Sequence, residues 1–174
     1  MGTFEIGVIW QNLLKQRALV YQNRASFRDA DDYVAKRLSG KLEDQNRVSA
    51  IETQTNTAWS QVVDLLRELL MMQDEENADS LKRMDAKEVL AAARQAGLVS
   101  AAQWEKLDTI RGGRNESAHR YSFVPPLAVW DQINLVADSI DKLMGQLQAG
   151  FEKAGVKLEM DFPEFEDRGE IGSP

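Results

Sequence analysis

The residues best suited to chemistry in this sequence lie in one short stretch, 111–121, around the only histidine, His119. This stretch contains three arginines together with an amide, a carboxylate, a hydroxyl and a phenol. An imidazole titrates near neutral pH and acts as a general acid or base. A guanidinium binds phosphate oxygens through a planar fork of donors. The stretch therefore has groups that can move protons and groups that can hold a phosphate.

The spacing of these residues limits how they can meet. Asn115 and His119 are four residues apart and share a face of a helix. Arg114 and His119 are five residues apart, about 140° around a regular helix, so they would not converge in one straight helix. Either the helix is distorted, as Gly112-Gly113 suggests, or the site combines arginine and histidine from two subunits.

Composition excludes several other kinds of site. The chain has 174 residues and no cysteine, which excludes a disulfide framework, a thiolate zinc site and a cysteine nucleophile. A single histidine cannot form a histidine cluster around a metal within one subunit, although a carboxylate-bound Mg²⁺ stays open. We therefore expect neither a metal nor a cofactor.

Charge and hydropathy indicate which binding partners and which cellular compartment to expect. The net charge of −7 argues against constitutive binding of nucleic acid through a basic face. Residues 157–174 hold two basic and six acidic residues, so a local basic site elsewhere remains open. The sequence shows neither a signal peptide nor an apolar run long enough for a membrane span, and we expect a cytoplasmic protein without membrane contact.

Apolar periodicity and capping signals predict helices throughout the chain. Long helices are expected over 4–24, 42–73, from 100 to the glycine pair, and over 127–153, with short ones over 30–38 and 86–96. The stretch 73–80 is polar and is typical of a loop. The four tryptophans fall on apolar stripes, which favours core positions.

These elements predict an all-α fold, an antiparallel up-and-down bundle of four main helices plus short ones. Residues 1–155 would form the bundle. Residues 156–174 would form an acidic C-terminal tail, extended or disordered, because they are acidic and contain proline and glycine.

The block Arg114-Asn115-Glu116-Ser117-Ala118-His119-Arg120-Tyr121 resembles the signature of HEPN domains, which carry an arginine, a polar residue and a histidine four to six positions after the arginine. The tyrosine two residues after the histidine resembles toxin-type HEPN proteins that pair with minimal nucleotidyltransferases. The resemblance covers roughly residues 45–125 and matches the order of apolar and aromatic residues in nucleotidyltransferase substrate-binding proteins.

This resemblance implies a HEPN-like bundle, a homodimer, and metal-independent cleavage of RNA that leaves a 2′,3′-cyclic phosphate. His119 would move protons, Arg114 would stabilise charge on the phosphoryl oxygens, and Asn115 would orient the phosphate or His119. Tyr121 would be the residue blocked by AMP transfer from the partner nucleotidyltransferase. Arg111 and Arg120 are either auxiliary phosphate contacts or ordinary surface charges.

Three hypotheses for the function follow. The first is an endoribonuclease that acts as the toxin of a toxin–antitoxin pair, with a nucleotidyltransferase-fold antitoxin as its partner and RNA as its substrate. The second is a non-catalytic substrate-binding or regulatory subunit of a nucleotidyltransferase, which the acidic net charge favours. The third is a helical interaction protein without activity.

Glu52 and Asp64 lie on the long second helix, where either could pair with Arg114 or simply face solvent.

Overall fold

The computed structural model describes residues 2–119 and 124–159, except for the side chains of residues 114–119. The described residues form seven α-helices, one 3-10 turn and no strand, which confirms the expected all-α class. The helices are α1 (Thr3–Ala25), α2 (Ala30–Leu38), α3 (Leu42–Gln73), α4 (Ala78–Lys82), α5 (Ala86–Gln95), α6 (Ala101–His119) and α7 (Pro126–Lys153). The four longest, α1, α3, α6 and α7, correspond to the four main helices expected from the sequence.

Contacts along α7 show that the main helices alternate in direction. Arg17 and Arg24 of α1 pair with Asp141 and Asp138, so α1 runs antiparallel to α7. On α3, Leu69 lies against Gly150 of α7. Trp59, which comes earlier on α3, borders the same small space as Val136, which comes earlier on α7. The helices α3 and α7 are therefore parallel. Gly113 of α6 lies against Gln132, and Gln103, earlier on α6, borders the same space as Ser139, so α6 is antiparallel to α7. The main helices therefore run up, down, up and down in chain order.

The core is built mainly around α3, which contacts α1, α2, α4, α5 and α7. Side chains at three- and four-residue steps along it are buried, as expected for a helix with neighbours on several sides. The helix α6 lies to one side and packs against α5 and α7. Among the described residues, no helix has both the length and the apolar character needed to cross a membrane.

The local signals that delimit the helices act as expected. At the start of α5, the Asp85 carboxylate accepts from the Glu88 backbone N–H at 2.9 Å, and the Glu88 carboxylate accepts from the Asp85 backbone N–H at 2.8 Å. This reciprocal pair satisfies two backbone donors that the helix itself leaves unpaired. After α5, Gly97 adopts a φ of +70°, a left-handed conformation in which other residues are strained.

Two segments differ from expectation. The polar stretch 73–80, expected as a loop, contains the 3-10 turn Glu75–Asn77 and the start of α4, where Leu81 is buried and anchors the helix. Past the expected end of the bundle at residue 155, Val156 and Leu158 are also buried. The carbonyl of Glu159 accepts a hydrogen bond from the Trp10 indole at 2.7 Å. The packed domain thus reaches residue 159, and the rest of the expected tail lies outside the described residues.

Candidate functional site

The helix α6 carries the expected catalytic residues, and its first turns are fixed by capping and packing. The Gln103 side-chain oxygen accepts from the Ser100 backbone N–H at 2.8 Å, and the Ser100 hydroxyl accepts from the Gln103 backbone N–H at 3.3 Å. Further along, Leu107 and Ile110 are buried at 0% and 2% exposure. These contacts hold the N-terminal half of α6 against α5 and α7.

The helix continues without interruption through Gly112-Gly113 to His119. Its regular backbone places Asn115 and His119 on one face, with Arg114 and His119 about 140° apart. The side chains of these three residues lie outside the described part of the structure, as do Arg120 and Tyr121 entirely. Of the two arrangements left open by the spacing, a break of α6 at the glycines does not occur in the described backbone.

Gly113 has a specific packing role that the sequence did not reveal. A Cβ at position 113 would lie 2.6 Å from Cδ of Gln132 on α7, and closer still to Nε2 of the same side chain. At Gly112 a Cβ would meet nothing within 4 Å. Of the two glycines, only Gly113 lies in close contact with α7, and an added Cβ there would force the end of the flexible Gln132 side chain to shift. Across this contact the Gln132 side-chain oxygen is buried and finds no hydrogen-bond partner.

Arg111 is the one expected site residue whose side chain is described. Its Nε and Nη2 both lie 2.8 Å from Oδ1 of Asp108, one turn earlier on α6, and its side chain is 21% exposed. An exposed pair of this kind is weak and exchanges with other anions at little cost. Arg111 therefore pairs within its own helix and remains partly exposed.

The two carboxylates considered as partners for Arg114 are already engaged. On α3, Oε1 of Glu52 accepts from the Tyr33 hydroxyl at 2.6 Å and from Arg37 at 2.5 Å. Burial, followed by the hydrogen bond to Glu52, raises the pKa of Tyr33. Asp64 lies 2.8 Å from Arg67, three residues later on α3. Each carboxylate thus has a local cationic partner.

An aromatic cluster at the start of α7 lies at the same end of the bundle as the C-terminus of α6. Trp130 stacks on Tyr33 at 4.9 Å between ring centroids, and Phe27 meets both rings edge-on at 5.3 and 5.7 Å. The apolar stripe of α7 indicated that Trp130 is buried, but its partners, Phe27 between α1 and α2 and Tyr33 on α2, depend on tertiary packing. The cluster anchors the first turns of α7, next to the segment that connects α6 and α7.

Among the described residues, no group of three histidine, aspartate or glutamate side chains is arranged to hold a metal ion. Comparison of the chain with models of protein families, with curated proteins and with solved structures gives no match.

Proposed function

We propose that this protein is a metal-independent endoribonuclease of the HEPN type, the toxin of a toxin–antitoxin pair. The observation that carries the proposal is the placement of Arg114, Asn115 and His119 on one uninterrupted helix. The order and spacing of these residues, followed by Tyr121, match the HEPN signature. The all-α bundle around them is the fold that this signature implies.

The chemistry requires two proton transfers and stabilisation of one developing charge. A ribose 2′-OH attacks the adjacent phosphorus while a base removes its proton, and the 5′ oxygen leaves with a proton from an acid. The products are a 2′,3′-cyclic phosphate and a 5′-hydroxyl. His119 serves as the base or the acid, and Arg114 binds the phosphoryl oxygens, on which charge accumulates in the transition state. Asn115 orients the phosphate or the imidazole.

Two copies of the chain are needed to complete such a site. Because α6 is continuous at Gly112 and Gly113, the 140° between Arg114 and His119 is not removed by a break in the helix. A two-fold homodimer would bring Arg114 of one copy beside His119 of the other, and would do so twice. We therefore propose a homodimer with the C-terminal ends of the two α6 helices facing each other across the RNA.

The partner in this proposal is a minimal nucleotidyltransferase that acts as the antitoxin. The Tyr121 hydroxyl attacks the α-phosphorus of ATP in the partner's active site, pyrophosphate leaves, and AMP remains on the tyrosine. The added phosphate brings negative charge and bulk next to His119, which repels the RNA backbone. Mass spectrometry of protein co-expressed with an active partner should find this adduct on Tyr121, and an unmodified tyrosine would rule out this mode of neutralisation.

The activity is tested with purified protein free of its partner. In EDTA it should cut RNA and leave 2′,3′-cyclic phosphate ends, and His119→Ala should reduce the rate by about 10²-fold or more. Arg114→Ala should do the same, whereas Arg83→Ala, an exposed arginine next to α4, should leave the rate unchanged. Equal cleavage by wild type and His119→Ala would show that the ribonuclease proposal is wrong.

The net charge of −7 favours a second candidate, a non-catalytic substrate-binding or regulatory subunit of a nucleotidyltransferase. An acidic protein repels the phosphate backbone of RNA, which weakens binding outside a local basic site. In this case the purified protein would not cut RNA, and adding it to the transferase would raise the rate of nucleotide transfer to the substrate. His119→Ala would then leave that stimulation intact.

A further inference from the structure

A small cavity lies between the first turns of α6 and the middle of α7, far from the expected catalytic residues. Its volume is about 60 Å³, and its walls include Gln103 and Lys106 of α6 and Ser139 and Lys142 of α7. Since a single water needs about 10–15 Å³, the cavity has room for a small polyatomic ligand. Gln103 and His119 are 16 residues apart on α6, about 24 Å along its axis. The cavity is therefore separate from the proposed RNA-cleaving site.

Two buried polar groups of the cavity walls have no hydrogen-bond partner among the described residues. Gln103 is 6% exposed, and its Oε1 accepts from the Ser100 backbone N–H in the helix cap. Its Nε2 has no partner in the described part of the chain. Ser139 is 7% exposed and its Oγ is unpaired. A buried polar group left unpaired costs about 1–3 kcal/mol, so such groups in native proteins are normally satisfied. The amide nitrogen of Gln103 can only donate, and the hydroxyl of Ser139 can donate, which favours an acceptor as the missing partner.

The charges around the cavity also favour an anion. Lys106 and Lys142 are exposed on its rim, and neither forms an ion pair within the described residues. One carboxylate, Asp138, lies on the wall, but Nη1 of Arg24 donates to its Oδ1 at 2.8 Å. Arg24 therefore offsets the charge of Asp138, and the positive charge of the two lysines remains unbalanced at the cavity.

The cavity adjoins the N-terminal turn of α6, where Ala102 forms part of its wall. The first backbone N–H groups of a helix have no partner inside the helix and carry the positive end of its dipole. This property alone would not define a site. Here it coincides with the two unpaired side-chain groups and the two lysines, and all of them favour the same kind of ligand.

We propose that this cavity binds a small oxyanion of the phosphate class. The amide of Gln103 and the hydroxyl of Ser139 donate to its oxygens, and Lys106 and Lys142 balance its charge. The oxyanion comes either from a free small molecule or from the backbone of a polynucleotide, since both present the same phosphoryl oxygens. The proposal depends on residues other than those of the ribonuclease site, so either one can fail while the other stands.

Inorganic phosphate is the probe for the first test. Titration calorimetry at constant ionic strength, with chloride as the replaced anion, should show saturable binding at one site per chain, and phosphate should raise the melting temperature by mass action. The double variant Lys106→Gln/Lys142→Gln should weaken binding by about tenfold or more. The matched control Lys87→Gln/Lys153→Gln removes the same charge at exposed positions elsewhere and should bind like wild type.

Ser139→Ala distinguishes a ligand site from a merely charged rim. Without phosphate this variant should be at least as stable as wild type, because it removes an unpaired buried hydroxyl. With phosphate it should show a weaker gain in melting temperature than wild type. Absence of saturable phosphate binding by wild type, or equal affinity in the double variant and its control, would overturn the proposal.

A second arm separates the two sources of the oxyanion. A short oligoribonucleotide with 2′-O-methyl riboses resists cleavage by the proposed chemistry and can compete with phosphate. If the oligoribonucleotide displaces phosphate, and if Lys106→Gln/Lys142→Gln weakens the binding of the oligoribonucleotide, the site holds the backbone of a polynucleotide. If phosphate stays bound at saturating oligoribonucleotide, the ligand is a small molecule. Either result supports an oxyanion site at α6 and α7.

Discussion

The two halves of α6 differ in what their residues contribute. In the first half, Leu107 and Ile110 are buried and the Ser100–Gln103 cap fixes the start of the helix. From Arg111 to His119 the helix has no apolar side chain larger than that of Ala118, and it contains two adjacent glycines. The first half therefore stabilises the bundle through buried side chains, whereas the second half is polar in composition.

This difference bears on the proposed site, because its residues lie in the polar second half of α6. Each glycine in a helix interior costs about 1 kcal/mol relative to alanine, so a glycine pair followed by polar residues is a poor contributor to stability. Local preferences of this kind are broken for a reason, and functional or strained sites are where this is expected. The structure gives one such reason for Gly113, its close contact with Gln132, and none for Gly112.

Leu107→Ala should have the largest effect on stability. The side chain is fully buried, and its truncation should lower the free energy of unfolding by about 2–5 kcal/mol. Arg111→Ala, one turn later, removes a partly exposed ion pair and should cost less than about 1 kcal/mol. Urea denaturation measures both. Similar losses in the two variants would contradict the difference between the buried, apolar first half of α6 and its polar second half.

Gly113→Ala should have the next largest effect. The new methyl group overlaps the end of the flexible Gln132 side chain, which has to shift, and the better helix propensity of alanine offsets part of this cost, so we expect a net loss of about 1 kcal/mol. In the double variant Gly113→Ala/Gln132→Ala the overlap is absent. Gly113→Ala should therefore lower the stability of the Gln132→Ala protein much less than it lowers the stability of the wild type. If the double variant shows no recovery, the close contact does not explain the glycine.

Gly112→Ala should have a smaller effect of opposite sign. Nothing lies within 4 Å of the added methyl group, and alanine restricts the unfolded chain, so stability should rise by about 0.5–1 kcal/mol. Thermal unfolding compared with Gly113→Ala gives a matched pair at adjacent positions. A loss of stability at Gly112 would mean that the second half of α6 is packed more closely than described.

The smallest expected effect distinguishes the interface of α7 with α1 from its interface with α6. The interface of α7 with α1 includes the ion pair of Arg17 and Asp141, and the hydrogen bond from Arg17 lowers the pKa of Asp141. A folded-state pKa below the unfolded value, about 4, adds stability above pH 4 that is lost as the pH falls through the folded-state pKa. Asp141→Asn should therefore flatten the acid limb of the stability profile by less than about 1 kcal/mol. Gly112→Ala and Gly113→Ala should leave this limb unchanged.

The elements of the fold could be predicted from the sequence because local signals decide them. Apolar periodicity and capping residues gave the bounds of α2 and α3, and the Asp85–Glu88 and Ser100–Gln103 pairs marked the starts of α5 and α6. The helix at Ala78–Lys82 was missed, since a single buried leucine in a polar stretch gives no periodic pattern. The packing of Val156 and Leu158 was missed because it depends on α1 and α7, which are distant in sequence.

The residues of the candidate site stay a prediction, made from their order, their spacing and the resemblance to HEPN domains, and the contacts around them could not be predicted in this way. The pairing of Glu52 with Tyr33 and Arg37, and the contact of Gly113 with Gln132, arise from the crossing of helices. The cavity with unpaired Gln103 and Ser139 is likewise formed by α6 and α7 together. No spacing within one helix predicts such contacts.

The central claim, a ribonuclease site shared between two copies of α6, is tested most directly by mixing two inactive variants. Arg114→Ala and His119→Ala homodimers are unfolded together, refolded as a mixture, and assayed for RNA cleavage in EDTA. A mixed dimer has one intact shared site, and half of the dimers are mixed, so the mixture should recover about a quarter of wild-type activity. Activity no higher than that of either variant alone would contradict the account.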